Sequence, residues 1–327
     1  MKKTIAVIMG GYTSEFEISL NSGSVVAAHL DPEKYEVYPI VISKNRWTYT
    51  TDHGAVYPIQ KGNFSLELPH KQVLFDGVFN AIHGSPGEDG IMQAYFELLS
   101  IPHTSCDMYQ AALTFNKRDC LSVLKPYGIL MADSYFLNSG DPVDATAIEN
   151  AVGFPCFVKA NKAGSSFGVT KVYSKADLPS AIATAFKEDD ELIIESFLEG
   201  TEVSVGVIRY KGKVTVLPIT EIVTENDFFD YEAKYLGKSQ EITPARLSET
   251  QEAAVREIAE SIYTILKLEG FSRSEFIFKE GKPHFLEINT IPGLTKESIL
   301  PQQAAQAGIS LPDLFDNAIQ EALRKNS

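Results

Sequence analysis

The sequence predicts an α/β fold that opens with a doubly wound parallel sheet, and three observations carry that prediction. Apolar runs of strand length alternate with stretches of helical period across residues 1 to 112, the pattern that crossover-connected parallel strands produce. Two of those runs end in glycine-bearing loops, "MGGYTSEFEIS" and "AIHGSPGEDG", which places both loops at the carboxyl edge of such a sheet, where these folds bind ligands. The chain of 327 residues is 44% hydrophobic and 22% charged, a globular composition with room for two or three domains of roughly 100 to 200 residues each.

In the first unit, 1 to 112, "TIAVIMGG" is a buried strand and "SEFEISLNSGSVVAAHL" a helix with a polar start. "YEVYPIVIS" and "DGVFNAIHG" are further strands, and "GIMQAYFELLS" a helix. Residues 44 to 75 show no pattern clear enough to place. The second unit, 113 to 199, begins with a helix in "TFNKRDCLSVLKPYGI" that Pro126 and Gly128 end. It continues through the strand "FPCFVKA", the loop "NKAGSSFG", the strand "VTKVYS", a helix near 175 to 187 and the strand "ELIIESF". The third unit, 200 to 327, opens with strands "EVSVGVIRY" and "KVTVLPITEIV" joined at Lys211 and Gly212. A polar, aromatic loop follows from 224 to 245, with the length of a lid. Ser248 with Gln251 then forms a capping-box pattern before a helix whose apolar residues run from Val255 to Leu266.

Net charge of −14 argues against nucleic acid as a partner, because phosphate backbones are held by clustered Lys and Arg. Cys106, Cys120 and Cys156 form no C-x-x-C pair, so neither a disulfide framework nor a zinc site is signalled, and a reducing cytoplasm is expected. "MKKTIAVIMGG" is too short an apolar run for a signal peptide, and no run reaches the ~20 residues of a membrane span.

The sharpest chemical signal is "FSRSEFIFKEGKPHFLEINTIPGLTKES". Strand residues alternate faces, so Arg273 and Glu275 share one face, as do Glu287 and Asn289. A three-residue turn at 280 to 282 would set Glu275 opposite Glu287 and Arg273 opposite Asn289. Two opposed carboxylates repel, and a hard cation such as magnesium would remove the conflict. A solvated face carrying an Arg–Glu pair satisfies the same pattern. Lys159 precedes a loop of small residues, Gly164, Ser165, Ser166 and Gly168, suited to phosphate oxygens, although no Walker sequence occurs and a plain hairpin loop fits equally. Glu195, Phe197, Leu198 and Glu202 suit an adenine and a ribose, or an ordinary crossover. Glu15 and His83 are the chemical residues of the glycine-bearing loops; a helix-dipole partner and a structural histidine are the plainer readings. Lys234 and Tyr235 lie in the loop "FFDYEAKYLG", a lid or a self-packed surface loop.

Taken in order, "GGYTSEFEISLNSG", "HGSPGEDG", "NKRDC", "KANKAGSSFGVTKV", "FDYEAKYL", "SRSEF" and "LEINTIPGLTKESILP" resemble the D-alanine:D-alanine ligases of the ATP-grasp superfamily along nearly the whole chain. The resemblance implies three α/β domains with ATP held between the second and third. It implies that Lys117, Lys159, Ser166 and Lys234 serve the phosphates, and that Glu195, Phe197, Leu198 and Glu202 serve the nucleoside. Glu275, Glu287 and Asn289 match ligands of two magnesium ions, with manganese an acceptable substitute. Glu15, Ser165 and Tyr235 resemble the set that orients the first D-alanine beneath the lid, and His83 a neighbour of that substrate. Arg273 and the N–H of Gly293 resemble an oxyanion pair, and Ser298 the group holding the second substrate's carboxylate. The implied activity joins two D-alanines through an acyl phosphate, releasing ADP and phosphate, for peptidoglycan precursors. Partners are then small molecules, with a homodimer allowed, no nucleic acid and no membrane. Alternatives are another ATP-grasp carboxylate–amine ligase, a D-alanine:D-lactate ligase, or a nucleotide-binding regulator without turnover. The chain departs from the family where Glu275 replaces a frequent Asp, where Ala160 rather than Pro follows Lys159, and at Ala163 in place of Glu.

Overall fold

The computed structural model describes residues 2–164, 168–224 and 239–325. Its first sheet is built on β1 (Lys3–Gly10), whose residues from Ile5 on are buried because parallel neighbours flank it on both sides, β2 (Tyr35–Ile42) and β7 (Gly77–Asn80). Helix α1 (Phe16–His29) covers this part of the sheet, its Val26 fully buried against it. The parallel reading holds for these three strands. Beyond β2 the sheet continues antiparallel through β3 (Trp47–Thr50), β4 (Val56–Gln60), β5 (Ser65–Leu68) and β6 (Lys71–Val73). These fill the stretch the sequence left unplaced. They are only 3 to 5 residues long, too short to show a period.

Helix α2 (Ile91–Leu98) leads to a pair, α3 (Met108–Phe115) and α4 (Lys117–Leu124), where one helix was expected. Asn116 makes the break. Its backbone is extended at φ −90°, ψ 101°, and its side-chain oxygen accepts the N–H of Asp119, so it caps a new helix and fixes Lys117 as the first helical residue. The second sheet runs β10-β9-β11-β8, with β8 (Ser134–Asn138), β9 (Cys156–Ala160), β10 (Thr170–Val172) and β11 (Glu191–Ser196). Helices α5 (Ala145–Val152) and α6 (Leu178–Ala185) pack on it; β8 and α5 went unread in the sequence.

The third sheet holds β12 (Thr201–Tyr210), β13 (Lys213–Val216), β14 (Thr220–Thr224), β15 (Ser239–Ile242), β16 (Phe271–Lys279) and β17 (Lys282–Asn289), in the order β15-β14-β12-β16-β17 with β13 also on β12. The expected strand "KVTVLPITEIV" is thus two strands, parted at Leu217 to Ile219. Helix α7 (Glu249–Ile265) starts with the full capping box of Ser248 and Gln251. Helices α8 (Ile299–Gln306) and α9 (Leu311–Lys325) close the chain. α9 returns to the first sheet, where Phe315 meets Phe79 edge to face at 5.6 Å and the Tyr35 hydroxyl donates to Asp316 at 2.7 Å. One apolar core therefore spans the first and third sheets.

The β16–β17 hairpin reaches the expected register by another route. Its turn has two residues, Glu280 and Gly281, both at positive φ (52° and 76°), with Lys279 paired to Lys282. A bulge between Glu275 and Phe276 restores the offset, so Arg273 faces Asn289 and Glu275 faces Glu287. Among the described residues no helix is long and apolar enough to cross a membrane.

Candidate active site

Two cavities flank this hairpin. One, of about 450 Å³, is lined by Lys159 and Glu195 from the second sheet, by Phe197 and Leu198 of the crossover, and by Glu202 and Glu275 of the third sheet. The other, of about 370 Å³, lies between the first and third sheets and is lined by Glu15, His83, Arg273, Asn289, Gly293 and Ser298. Lys117, Ala163, Gly164 and Glu287 line both, so the cavities meet along one wall. Apart from Gly168, every described residue singled out in the sequence as a candidate for the site lines one or both. Ser165, Ser166, Lys234 and Tyr235 lie outside the described residues.

In the larger cavity the lysines and Arg246 are each paired with a carboxylate. Alternation along β9 turns Lys159 to the face that its neighbours Val158 and Ala160 leave, and its Nζ lies 2.7 Å from Glu195 Oε2. Burial works against the Lys159 ammonium, but Glu195, with Glu287 and Glu202 farther off, holds its pKa above the ordinary lysine value. Arg246 forks onto Glu221 at 2.6 and 2.8 Å on the same cavity's wall, a pair the sequence did not flag because strand alternation alone gives it no signature. At the shared wall Lys117 Nζ donates to Ala163 O at 2.8 Å and lies 3.3 Å from Glu287 Oε2. Asn116 thus aims Lys117 by ending one helix and starting the next.

Across the hairpin, Arg273 Nη2 is 3.2 Å from Glu275 Oε1, which also accepts the Ser204 hydroxyl at 3.3 Å. Ser204 is the end of a buried polar chain. Gln303 Nε2, on α8, donates to Ser204 O at 2.8 Å and to Thr220 Oγ1 at 3.0 Å, and Thr220 shares a hydrogen bond with Thr243 at 2.6 Å. The Arg–Glu pair of the plainer reading is therefore present. So is the donor set for a hard cation, two facing carboxylates and the Asn289 amide, whose Oδ1 is fixed by the Ile291 N–H at 2.8 Å. No cluster of three or more His, Cys, Asp or Glu suited to a metal occurs among the described residues. A set of two carboxylates fits magnesium, which completes its shell with water and phosphate oxygens.

On the smaller cavity's far side, His83 Nδ1 donates to Ile291 O at 2.8 Å and Nε2 accepts from the Ser22 hydroxyl at 2.9 Å. Burial lowers its pKa, and the imidazole is neutral. Both nitrogens are thus occupied, and His83 ties α1 to the segment after Asn289. Glu88 of "HGSPGEDG" was missed, although it stands in a motif the sequence picked out. Its Oε2 accepts the Gly84 N–H at 2.6 Å, and burial, then the nearby Glu15 charge, push its pKa to about 8. Two glycines permit close approaches. A Cβ on Gly164 would sit 2.8 Å from both Glu15 carboxylate oxygens, and one on Gly293 would sit 2.7 Å from Ser298 Oγ. Ser298 also shares a hydrogen bond with Thr295 at 2.9 Å.

Chemically, the arrangement can hold phosphates against lysines on one side, a small zwitterion among carboxylates on the other, and a cation between. The chain is similar to known proteins along nearly its whole length. Residues 4–106 match the family model described as D-ala D-ala ligase N-terminus, and residues 123–320 the one described as D-ala D-ala ligase C-terminus. A D-alanine--D-alanine ligase of Flavobacterium johnsoniae is 62% identical over 98% of this chain and 99% of its own. One from Christiangramia forsetii is 61% identical over 99% and 100%. Among solved structures, the VanG D-Ala:D-Ser ligase of Enterococcus faecalis superposes with a TM-score of 0.87 at 32% identity, covering 98% of this chain and 100% of that one. A D-alanine--D-alanine ligase from Bacillus anthracis complexed with ATP gives 0.80 at 30%, covering 99% and 98%.

Proposed function

Since this chain belongs to the D-alanine–D-alanine ligase family, we propose that the wall shared by Lys117 and Glu287 is where a phosphoryl group passes from ATP to the carboxylate of the first D-alanine. The chain is an ATP-dependent ligase that joins two D-alanines into D-alanyl-D-alanine, with release of ADP and phosphate, for peptidoglycan precursor synthesis. The observation that carries the reading of its site is the meeting of the two cavities at Lys117 and Glu287.

A carboxylate does not condense with an ammonium in water, so it must first become an acyl phosphate. Phosphoryl transfer asks a protein chiefly for positioning and charge neutralisation. On this reading Lys117 and Lys159 exchange their carboxylate partners for phosphate oxygens when nucleotide enters, and Phe197 and Leu198 cover the purine while Glu195 and Glu202 accept from its amino group and ribose. Two magnesium ions at Glu275, Glu287 and Asn289 would neutralise phosphate charge. Glu15 holds the ammonium of the first D-alanine, His83 positions the segment beneath it, and Ser298 receives the acceptor's carboxylate. Arg273 and the Gly293 N–H stabilise the oxyanion as the amine attacks the acyl carbon and phosphate leaves, a contribution of about 3–4 kcal/mol per donor in comparable sites. Ser165, Ser166, Lys234 and Tyr235 complete the phosphate loop and lid in the same proposal.

The domains proposed are 1–112, 113–199 and 200–327, and the proposed compartment is the cytoplasm. The homodimer of the same reading is checked by light scattering, a monomer mass removing it. The activity itself is tested by magnesium-dependent ADP release, which is expected to require D-alanine. ADP released equally fast without any amino acid contradicts the ligase reading.

A further inference from the structure

The smaller cavity holds a carboxylate that the reaction as described does not use. Glu241, on β15, lines it together with Arg273, Gly293 and Ser298. Among the described residues its one hydrogen bond comes from Gln302 Nε2 and is long, 3.4 Å, and no Lys, Arg or His is paired with it. The other carboxylates there have occupations. Glu287 holds Lys117, Glu15 lies against Gly164, Glu88 accepts the Gly84 N–H, and Glu297 is exposed at the rim.

Three features place Glu241 at the acceptor's end of the cavity. Gln302, its donor, stands four residues after Ser298, hence on the same side of α8. Ile222, paired with Glu241 across β14 and β15, packs on Ile299, the residue that follows Ser298. The charge of Arg273 reaches Glu241 as well, opposing the burial that raises the acid's pKa. An amino acid whose carboxylate lies at Ser298 and whose nitrogen is set toward the acyl carbon, with the Arg273 and Gly293 donors on that carbon's oxygen, brings a cation into this space. A half-buried carboxylate with one weak donor is the group that needs it.

We propose that Glu241 receives the ammonium of the acceptor amino acid and thereby selects an amine over a hydroxyl acceptor. This rests on the ligase reading above. A hydroxy acid offers one neutral hydrogen bond where an amino acid offers a charge-assisted one, and charge-assisted bonds are the stronger.

The test uses the full-length enzyme and Glu241→Gln, with separate KM values for the two D-alanine sites and for ATP, and with product analysis in equimolar D-alanine and D-lactate. Glu241→Gln is expected to raise the second D-alanine KM about tenfold or more, leave the first D-alanine and ATP KM within about twofold, and increase the share of ester product. An unchanged second KM and product ratio in a variant that melts like wild type overturns the proposal, as does an equal rise in all three KM values. If Glu241→Gln melts well below wild type, Glu241→Asp decides, because it keeps the charge but draws it back by one methylene. A raised second KM alone then supports the proposal, and wild-type constants overturn it. Wild-type ADP release without any D-alanine requirement would instead remove the ligase reading, whatever either variant does.

Discussion

The two cavities solve opposite electrostatic problems on either side of one wall. On the larger side each lysine already has a carboxylate, Lys159 with Glu195 at 2.7 Å and Lys117 with Glu287 at 3.3 Å, and in the proposed function phosphate replaces those partners. On the smaller side, beyond the shared Lys117 and Glu287, the carboxylates Glu15, Glu241 and Glu297 line the cavity with Arg273, while burial keeps Glu88 protonated up to about pH 8. That surplus suits a substrate that arrives with an ammonium and must lose its carboxylate charge. On the proposed reading, the difference teaches that an acidic chain can gain affinity for phosphate from a few lysines placed by local structure. Net charge has little part in it.

The largest effect that could break the comparison comes from the wall itself. Glu287→Gln is expected to abolish turnover while circular dichroism and melting stay near wild type; near-normal turnover would make Glu287 part of a solvated face. Next is Arg273→Ala, expected to lower kcat by about 10²–10³ with ATP affinity little changed. An equal loss of ATP affinity would move Arg273 to the nucleotide side. Gln303→Leu tests whether the buried chain from α8 sets Glu275: it leaves Ser204 O and Thr220 short of a donor, at a cost of about 1–3 kcal/mol. The magnesium concentration for half-maximal rate should rise several-fold. Loss of stability with an unchanged magnesium requirement would reduce the chain to packing.

The smallest effect concerns Glu88. Its carboxyl binds a proton more tightly folded, at about 8, than at its ordinary 4.5. The stability it contributes is therefore complete below about pH 4.5 and is lost as pH rises through 8. Wild type should lose more melting temperature between pH 6 and 9 than Glu88→Gln, which keeps a neutral acceptor for Gly84. Parallel curves would show that Glu88 ionises freely.

Local signals carried most of the site into view. Lys159 and Glu195 stand near the ends of apolar runs that read as buried strands, and the capping box of Ser248 announces α7. The pairing of Glu275 with Glu287 was expected from a three-residue turn. The turn has two residues, and a bulge beside Phe276 supplies the difference, so the right register was reached through two errors that cancel. What stayed hidden depends on long-range partners. The strands of residues 44 to 75 exist because β2 offers them an edge, and their own 3 to 5 residues are too few for a period. Glu241 has meaning only once β15 pairs with β14 and α8 folds over it, neither of which its flanking sequence encodes. Asn116 could have been read as a cap, since Asp119 follows three residues later, but the apolar pattern on both sides concealed the break.

The claim that a phosphoryl group crosses the Lys117–Glu287 wall is tested most directly by following oxygen. D-alanine labelled with ¹⁸O in its carboxylate is supplied with unlabelled ATP, and the released phosphate is analysed by mass spectrometry. If the acyl phosphate forms in the smaller cavity, one labelled oxygen leaves with each phosphate. Unlabelled phosphate alongside normal dipeptide would contradict the account.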